Sequence, residues 1–230
     1  MQYKLTGEKE IYDFVCEEWK NVEELSLYIH IPFCKARCKF CEYVVLENPS
    51  EAVQDEYVEL LLKEMELYSH ILKGKKIVGC DLGGGTPAML SINNLNKITD
   101  AIRCLFEIQK QVIFNIEITP AIAADEPEKL KAIHEMGYRR ISMGVQTVSE
   151  KLLSELGRDG SKSIYERAAA NIRKAGFEGF NIDLMYGFLN QSERDFDNTL
   201  HYAIGLKPDF ITLYRNRYKG TKMEYEAGGV

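Results

Sequence analysis

The chain alternates β-rich runs with helix-patterned stretches through nearly its whole length, and this alternation restricts its fold more than any other feature. The β-rich runs cover residues 26–33, 76–82, 111–119, 138–145, 177–188 and 210–217. Helical stripes separate them. Val53, Tyr57, Leu60, Leu61, Met65, Tyr68 and Leu72 form one face after the first run. Leu95, Ile98, Ile102 and Leu105 form another in a helix opening at Ser91. Further helices are predicted over 125–136, 163–175 and 192–204. In the 125–136 helix Asp125 reads as the cap, Glu128 completes a capping box, Pro127 falls in the first turn and Gly137 follows the end. Gly74 and Gly176 stop their helices in the same way.

Strands that alternate with helices through short loops pair in parallel with right-handed crossovers. The predicted class is therefore α/β, a partial (β/α)6 barrel. A full eight-unit barrel would need two more units, and only residues 220–230 follow the sixth run. The chain is accordingly expected to be a core that lacks a C-terminal covering domain. Residues 1–24 are acidic, with Ile11, Val15 and Trp19 at spacing four. They read as an N-terminal amphipathic helix or extension, with 25–230 as the barrel core.

With 230 residues, 45% hydrophobic and 28% charged, the chain can bury a large core without disulfides. Its 29 basic and 35 acidic residues give a formal net charge of −6, which argues against nucleic acid as the main partner. The longest uncharged apolar runs are strand-length and no basic segment precedes an apolar one at the N-terminus, so neither a membrane span nor a secretory signal is expected. A cytoplasmic location follows as the expectation.

Three of the six cysteines, Cys34, Cys38 and Cys41, form a CxxxCxxC loop directly after the first strand. Three thiolates at this spacing can wrap one compact inorganic site. A cubane iron–sulfur cluster held by three cysteines keeps its fourth iron open to another ligand. Structural zinc wants four ligands, commonly as two pairs, and no second pair exists here. A disulfide would leave one of three close thiols over. Incidental thiols are the remaining reading. Cys16, Cys80 and Cys104 lie apart among apolar residues and read as buried small hydrophobes. His30 reads as structural.

The segment Tyr28-Ile29-His30-Ile31-Pro32-Phe33-Cys34, continuing through Cys41, resembles radical S-adenosylmethionine (SAM) enzymes of the oxygen-independent coproporphyrinogen III oxidase type. Family-like segments recur in order: Gly83-Gly84-Gly85-Thr86-Pro87, Glu117-Ile118-Thr119-Pro120, residues 140–146, Leu156-Gly157-Arg158, residues 181–187, and Tyr214 with Lys219-Gly220-Thr221. Nearly all fall at or just beyond the C-terminal end of a predicted strand, and in a parallel barrel those ends share one face.

The resemblance implies a [4Fe-4S] cluster on Cys34, Cys38 and Cys41, with SAM chelating the open iron and being cleaved to methionine and a 5′-deoxyadenosyl radical. It implies that Gly84, Gly85 and Thr86 form an edge whose backbone approaches the methionyl amine, a close approach that glycine permits; a plain strand-to-helix turn is the bland alternative. Arg158 matches the position whose guanidinium meets the SAM carboxylate. Gln146 and Asp183 match ribose-binding positions. For these three, ordinary surface polarity is the competing reading. Glu117 ends an apolar strand, where a carboxylate needs a cationic partner: the SAM amine or sulfonium, or else a buried salt bridge. Phe40 would pack near the adenine and Tyr28 close to SAM, unless either is simply core.

Arg215 and Arg217 mark a possible contact for an anionic substrate group, against the alternative of a solvated rim. The implied partners are a small-molecule substrate and an electron donor such as flavodoxin or ferredoxin, in anaerobic surroundings. Within the family a tailoring enzyme, including methylases that use two SAM molecules, leads. Haem chaperones and decarboxylating coproporphyrinogen oxidases follow, since both would need further segments. A non-catalytic iron–sulfur or haem carrier is the alternative of another class. After Arg158 the chain reads Asp159-Gly160-Ser161, where relatives often have a histidine, so substrate identity stays open.

Overall fold

The computed structural model describes residues 8–224. The first seven residues of the expected extension are not among these, and of Glu8 and Ile11 only the backbone is described. In chain order the elements are α1 (Glu8–Trp19), β1 (Glu24–Ile31), β2 (Phe33–Cys34), β3 (Leu46–Glu47), α2 (Glu51–Ile71), β4 (Lys76–Gly84), a 3₁₀ turn (Pro87–Met89) and α3 (Ile92–Leu105). Then come β5 (Glu107–Ile108), β6 (Phe114–Ile118), α4 (Pro120–Asp125), α5 (Pro127–Glu135), β7 (Tyr138–Gln146), α6 (Glu150–Glu155), α7 (Lys162–Ala175), β8 (Gly179–Tyr186), α8 (Glu193–Gly205) and β9 (Phe210–Arg215).

The main sheet runs β1-β4-β6-β7-β8-β9, all pairs parallel, with β5 a short addition to β4. β1 and β9 are its two edges, so the six expected strands form a half-barrel with helices. Strand alternation sorts residues between two faces. On β1, Leu27, Ile29 and Ile31 are buried in the core while Tyr28 on the opposite face is 56% exposed. Ile77 and Leu82 of β4, Ile116 of β6, Ile141 and Met143 of β7, and Ile182 and Leu184 of β8 join the same core beneath the helices.

The other face is polar rather than filled with aliphatic side chains as in a closed barrel. The register sets Tyr28 beside Asp81, Asp81 beside Asn115, Glu117 beside Ser142, Ser142 beside Asn181, and Asp183 beside Thr212. These side chains bond to one another. Ser142 donates to Asn115 at 3.3 Å, Thr212 Oγ1 donates to Asn181 Oδ1 at 3.0 Å, and Asn181 Nδ2 donates to Asp183 at 2.8 Å.

Local signals place most helix ends. Ser50, Ser91 and Ser161 accept from the third backbone N–H beyond them, and Ser192 makes a full capping box with Asp195. Gly137 and Gly176 follow their helices at φ +99° and +91°. The expected single helix over 125–136 is instead two. Thr119 caps α4, Asp125 is its last residue rather than a cap, and Glu126 starts α5 with no side-chain cap. Pro127 causes the break, because it lacks an N–H and pushes Glu126 out of helical geometry, to φ −122° and ψ 61°. A second correction concerns Cys104. Only Cys80 of the three outlying cysteines is buried, while Cys16 is half-buried and Cys104 exposed, since it stands on the outward side of α3 away from Ile98 and Ile102.

Candidate functional site

The Cys34–Cys41 segment leaves β1 at the C-terminal end of the sheet and is held there by several independent contacts. Phe33 and Cys34 pair in parallel with Leu46 and Glu47. The Lys39 amide donates to Leu156 O at 3.0 Å, tying the loop to the end of α6. Arg37 Nη2 donates to Cys41 O at 2.9 Å. All three cysteines are free and half-buried.

Each thiol meets a different neighbour. Cys34 Sγ lies 3.8 Å from Thr86 Oγ1, Arg158 Nη1 donates to Cys38 Sγ at 3.4 Å, and Cys41 Sγ faces Tyr43 O at 4.0 Å. Burial pushes the Cys34 thiol up, with Cys41 and Cys38 adding to the rise and Thr86 and Arg158 opposing it. The three thiols, Thr86 and Arg158 therefore share one electrostatic neighbourhood. Among the described residues no group of three His, Cys, Asp or Glu side chains is arranged to hold a single metal ion. A cubane takes one thiolate per iron and needs no common point, so a short loop of three thiols beside a cation fits it.

The β4 end supplies a backbone edge. Gly84 stands at φ +117°, and a Cβ there would lie 2.7 Å from the His30 ring and 3.0 Å from Ile31 O. At Gly85 a Cβ would come within 2.5 Å of Phe33 O and 3.0 Å of Cys34 Sγ. Only glycine allows β4 to run this close to the cysteine loop. The Gly84 amide donates to Glu117 Oε2 at 3.1 Å. Burial raises the Glu117 carboxyl to about 7 despite that bond, with Asp183 and Asp81 adding to the rise. Among the described residues Glu117 has no salt-bridge partner, so the buried salt bridge expected as the alternative is not formed there.

Asp183 is likewise raised to about 6 by burial, against the opposing effects of Asn181, Arg158 and Thr212. Arg158 reaches the inner face by donating through Nη2 to Gly144 O. Gln146 ends β7 at φ +68°, beside the bulge between Gly144 and Gln146, and its buried Oε1 has no hydrogen-bond partner. Such strain and an orphaned acceptor are the kind of feature that a bound donor relieves. Tyr28 lies over Gly83 next to Glu117, and burial followed by Glu117 raises its phenol to about 12.

The inner face and its upper rim thus bring together Cys34, Cys38, Cys41, Tyr28, Gly84, Gly85, Thr86, Glu117, Gln146, Arg158 and Asp183. Phe40 departs from the group, packing against Phe188 at a ring separation of 6.0 Å in a small cluster with Leu152, Leu156 and Met223. His30 has its Nδ1 3.5 Å from the Tyr28 hydroxyl and its ring against Gly84. Of the arginines expected to meet an anionic substrate, only Arg215 lies on a strand, at the last residue of β9. Arg215 lies opposite in parity to Thr212 and Tyr214, and Arg217, 77% exposed, pairs with Glu42 at 3.9 Å. The sequence reading missed Asp81, Asn115, Ser142 and Asn181. Their signal is a polar residue at alternate positions of otherwise aliphatic strands.

A family model described as the Radical SAM superfamily matches residues 28–203, and the chain belongs to that superfamily. This family uses a [4Fe-4S] cluster and SAM. Within it the chain is similar to the heme chaperone HemW of Buchnera aphidicola, at 33% identity over 83% of this chain and 50% of that protein. It is also similar to the anaerobic coproporphyrinogen III oxidase 1 of Cereibacter sphaeroides, at 31% identity over 83% of this chain and 42% of that protein. The solved coproporphyrinogen III oxidase (HemN) of Escherichia coli, described as a radical SAM enzyme, superposes with a TM-score of 0.82 at 25% identity, covering 97% of this chain and 50% of that one. The chain spans about half the length of such relatives.

Proposed function

We propose that the protein is a radical SAM enzyme that binds a [4Fe-4S] cluster through Cys34, Cys38 and Cys41 and reductively cleaves SAM. The observation that carries this reading is the placing of Cys34 Sγ against a side-chain-free backbone edge at Gly85, in a loop of three free thiols whose Cys38 Sγ receives the Arg158 guanidinium at 3.4 Å. When bound, the cluster and SAM supply the electron and the 5′-deoxyadenosyl radical; the protein supplies position and shielding.

Each residue has a task in this reading. Arg158 carries a fixed cation for the SAM carboxylate. Glu117, its proton held to about 7, ionises fully when the amine or sulfonium arrives. Gln146 offers its orphaned acceptor, and Asp183 its carboxylate, to the ribose hydroxyls. Gly84, Gly85 and Thr86 present backbone groups to the methionyl end, and Tyr28 covers it. Phe40 holds the cysteine loop onto Phe188 and so acts on the adenine side only through the loop.

A small-molecule substrate would lie on the polar inner face over Asp81, Asn115 and Ser142. A tailoring reaction, including methyl transfer, is the leading assignment, acting in the cytoplasm under anaerobic conditions with a flavodoxin or ferredoxin as donor. Residues 25–230 serve as the core and 1–24 as an extension. The similarity to heme chaperones supports haem delivery as a second reading. Anaerobic reconstitution with iron and sulfide, then dithionite and SAM, separates them by mass spectrometry. 5′-Deoxyadenosine that disappears in the Cys34→Ala, Cys38→Ala, Cys41→Ala triple variant supports cleavage. S-adenosylhomocysteine alongside it supports methylation. A reconstituted cluster with no cleavage defeats the enzymatic reading and leaves a carrier.

A further inference from the structure

The polar strip on the inner face satisfies itself everywhere except at one end. Thr212 donates to Asn181, Asn181 donates to Asp183 and, at 3.4 Å, to Ser142, and Ser142 donates to Asn115. The next residue across the sheet is Asp81, set by the register between Asn115 and Tyr28. It is half-buried, and among the described residues its carboxylate has neither a hydrogen bond nor an ion pair. A carboxylate withdrawn in part from water calls for a cation or a donor.

The surrounding face supplies no such cation. Arg140, two residues before Ser142 on β7, stacks over the Phe210 ring at 4.7 Å, and Arg158 stands at the upper rim on Cys38 and Gly144. Between them the face carries Asp81, Glu117 and Asp183 and, among the described residues, no lysine or arginine. SAM has an ammonium, a sulfonium and a carboxylate, a net single positive charge. Together with Arg158 it offsets two of the three carboxylates and leaves one.

An independent feature of the same mouth also suits a cation. Three tyrosines from separate elements stand there with their rings open: Tyr28 of β1, Tyr43 of the loop after Cys41, 53% exposed, and Tyr214 of β9, 51% exposed. The Tyr28, His30 and Tyr43 rings follow one another at 6.0 and 6.3 Å, and a Cβ at Gly83 would touch both the Tyr28 ring and Glu117. Burial raises the phenols of Tyr28 and Tyr214, and Glu117 and Tyr43 add to the rise in both, so the rings and carboxylates share one neighbourhood. Exposed aromatic faces beside a carboxylate are a recognition surface for a positively charged nitrogen.

We propose that Asp81 anchors a cationic nitrogen of the substrate, an ammonium or amidinium held between that carboxylate and the tyrosine rings. The proposal rests on the function assigned above and names the substrate class of the same site. Asp81 lies two residues down β4 from Gly83, about 7 Å along the strand, which sets the substrate beneath the ligand that rests on the glycine edge.

The test uses the reconstituted full chain with SAM and without reductant, so that no SAM is consumed. Benzamidinium and benzoate, matched in shape and opposite in charge, are the probes, and equilibrium dialysis reads their binding. The wild type is expected to retain benzamidinium and not benzoate. Asp81→Asn, of the same shape, is expected to lower benzamidinium affinity about tenfold. Tyr43→Leu, outside the main sheet and therefore without effect on strand register, is expected to lower it about threefold, and Tyr43→Phe to restore it. No benzamidinium binding by the wild type, equal binding of benzoate, or unchanged affinity in Asp81→Asn overturns the proposal. Deoxyadenosine formation with dithionite is measured on the same preparations. Protein that binds benzamidinium through Asp81 yet forms no deoxyadenosine defeats the assigned function and leaves the cation site standing, whereas cleavage of SAM with no benzamidinium binding does the reverse.

Discussion

Arg158 and Cys38, 120 residues apart in the chain, meet with Nη1 of the arginine 3.4 Å from the cysteine sulfur. The other arm of the same guanidinium holds Gly144 O. One side chain therefore joins the cysteine loop to the end of β7, and it does so with a planar fork that lysine does not have.

Replacing it tests that joint function. Arg158→Lys keeps the charge but cannot reach both partners, and it is expected to raise the KM for SAM about tenfold or more, since charge-assisted bonds contribute about 1.5–3 kcal/mol each. Steady-state deoxyadenosine formation against SAM concentration measures this. An unchanged KM removes Arg158 from the SAM site.

Acid–base behaviour gives an independent check on Glu117. Its carboxyl holds a proton to about 7 in the folded chain, against 4.5 ordinarily. The folded state therefore binds more protons over that interval, and stability falls as pH rises through it. Asp183, raised from 3.8 to about 6, acts in the same direction at lower pH. Urea denaturation of the cluster-free chain at pH 5, 6, 7 and 8 should show this fall, and Glu117→Gln should flatten the portion nearest neutrality. Parallel curves for the two proteins contradict it.

The glycine edge makes a prediction about space. Gly85→Ala would put a Cβ 2.5 Å from Phe33 O, a backbone atom with no room to yield, and should cost about 1–3 kcal/mol in urea denaturation. Because that Cβ would also stand 3.0 Å from Cys34 Sγ, iron incorporation should fall as well. Gly205→Ala is the control, since a Cβ there meets nothing within 4 Å at the last residue of α8, and it should leave stability and iron content unchanged.

Metal content separates the two groups of cysteines. Alanine at Cys34, Cys38 or Cys41 should each sharply reduce iron and labile sulfide after anaerobic reconstitution, from about four irons per chain in the wild type. Cys104→Ala, at an exposed position, should leave both unchanged. Equal iron in all four variants would dissociate the cluster from the CxxxCxxC loop.

Strand order, helix stripes and most caps were legible because each depends on residues near in sequence. Gly137, Gly176 and the Ser192–Asp195 box lie where their local chemistry requires. The break before Pro127 was legible too, and was misread because the Asp125–Glu128 spacing suits a capping box whether or not a helix already ends there. The site divides in the same way. Glycines, cysteines and Arg158 declare themselves in short motifs, whereas Asp81, Asn115, Ser142 and Asn181 become one surface only when parallel register aligns four strands. Phe40 shows the limit from the other side, for its place in the motif says nothing about Phe188, its ring neighbour.

The Gly83–Gly85 stretch has a consequence for how such a protein can diversify. A surface made of main chain carries no side chain to exchange, so a ligand that rests on it meets the same amides however the remaining sequence drifts. Novelty is thereby channelled to the tiles across the strands, where Asp81, Asn115, Ser142 and Thr212 can be replaced one at a time without disturbing that shared floor.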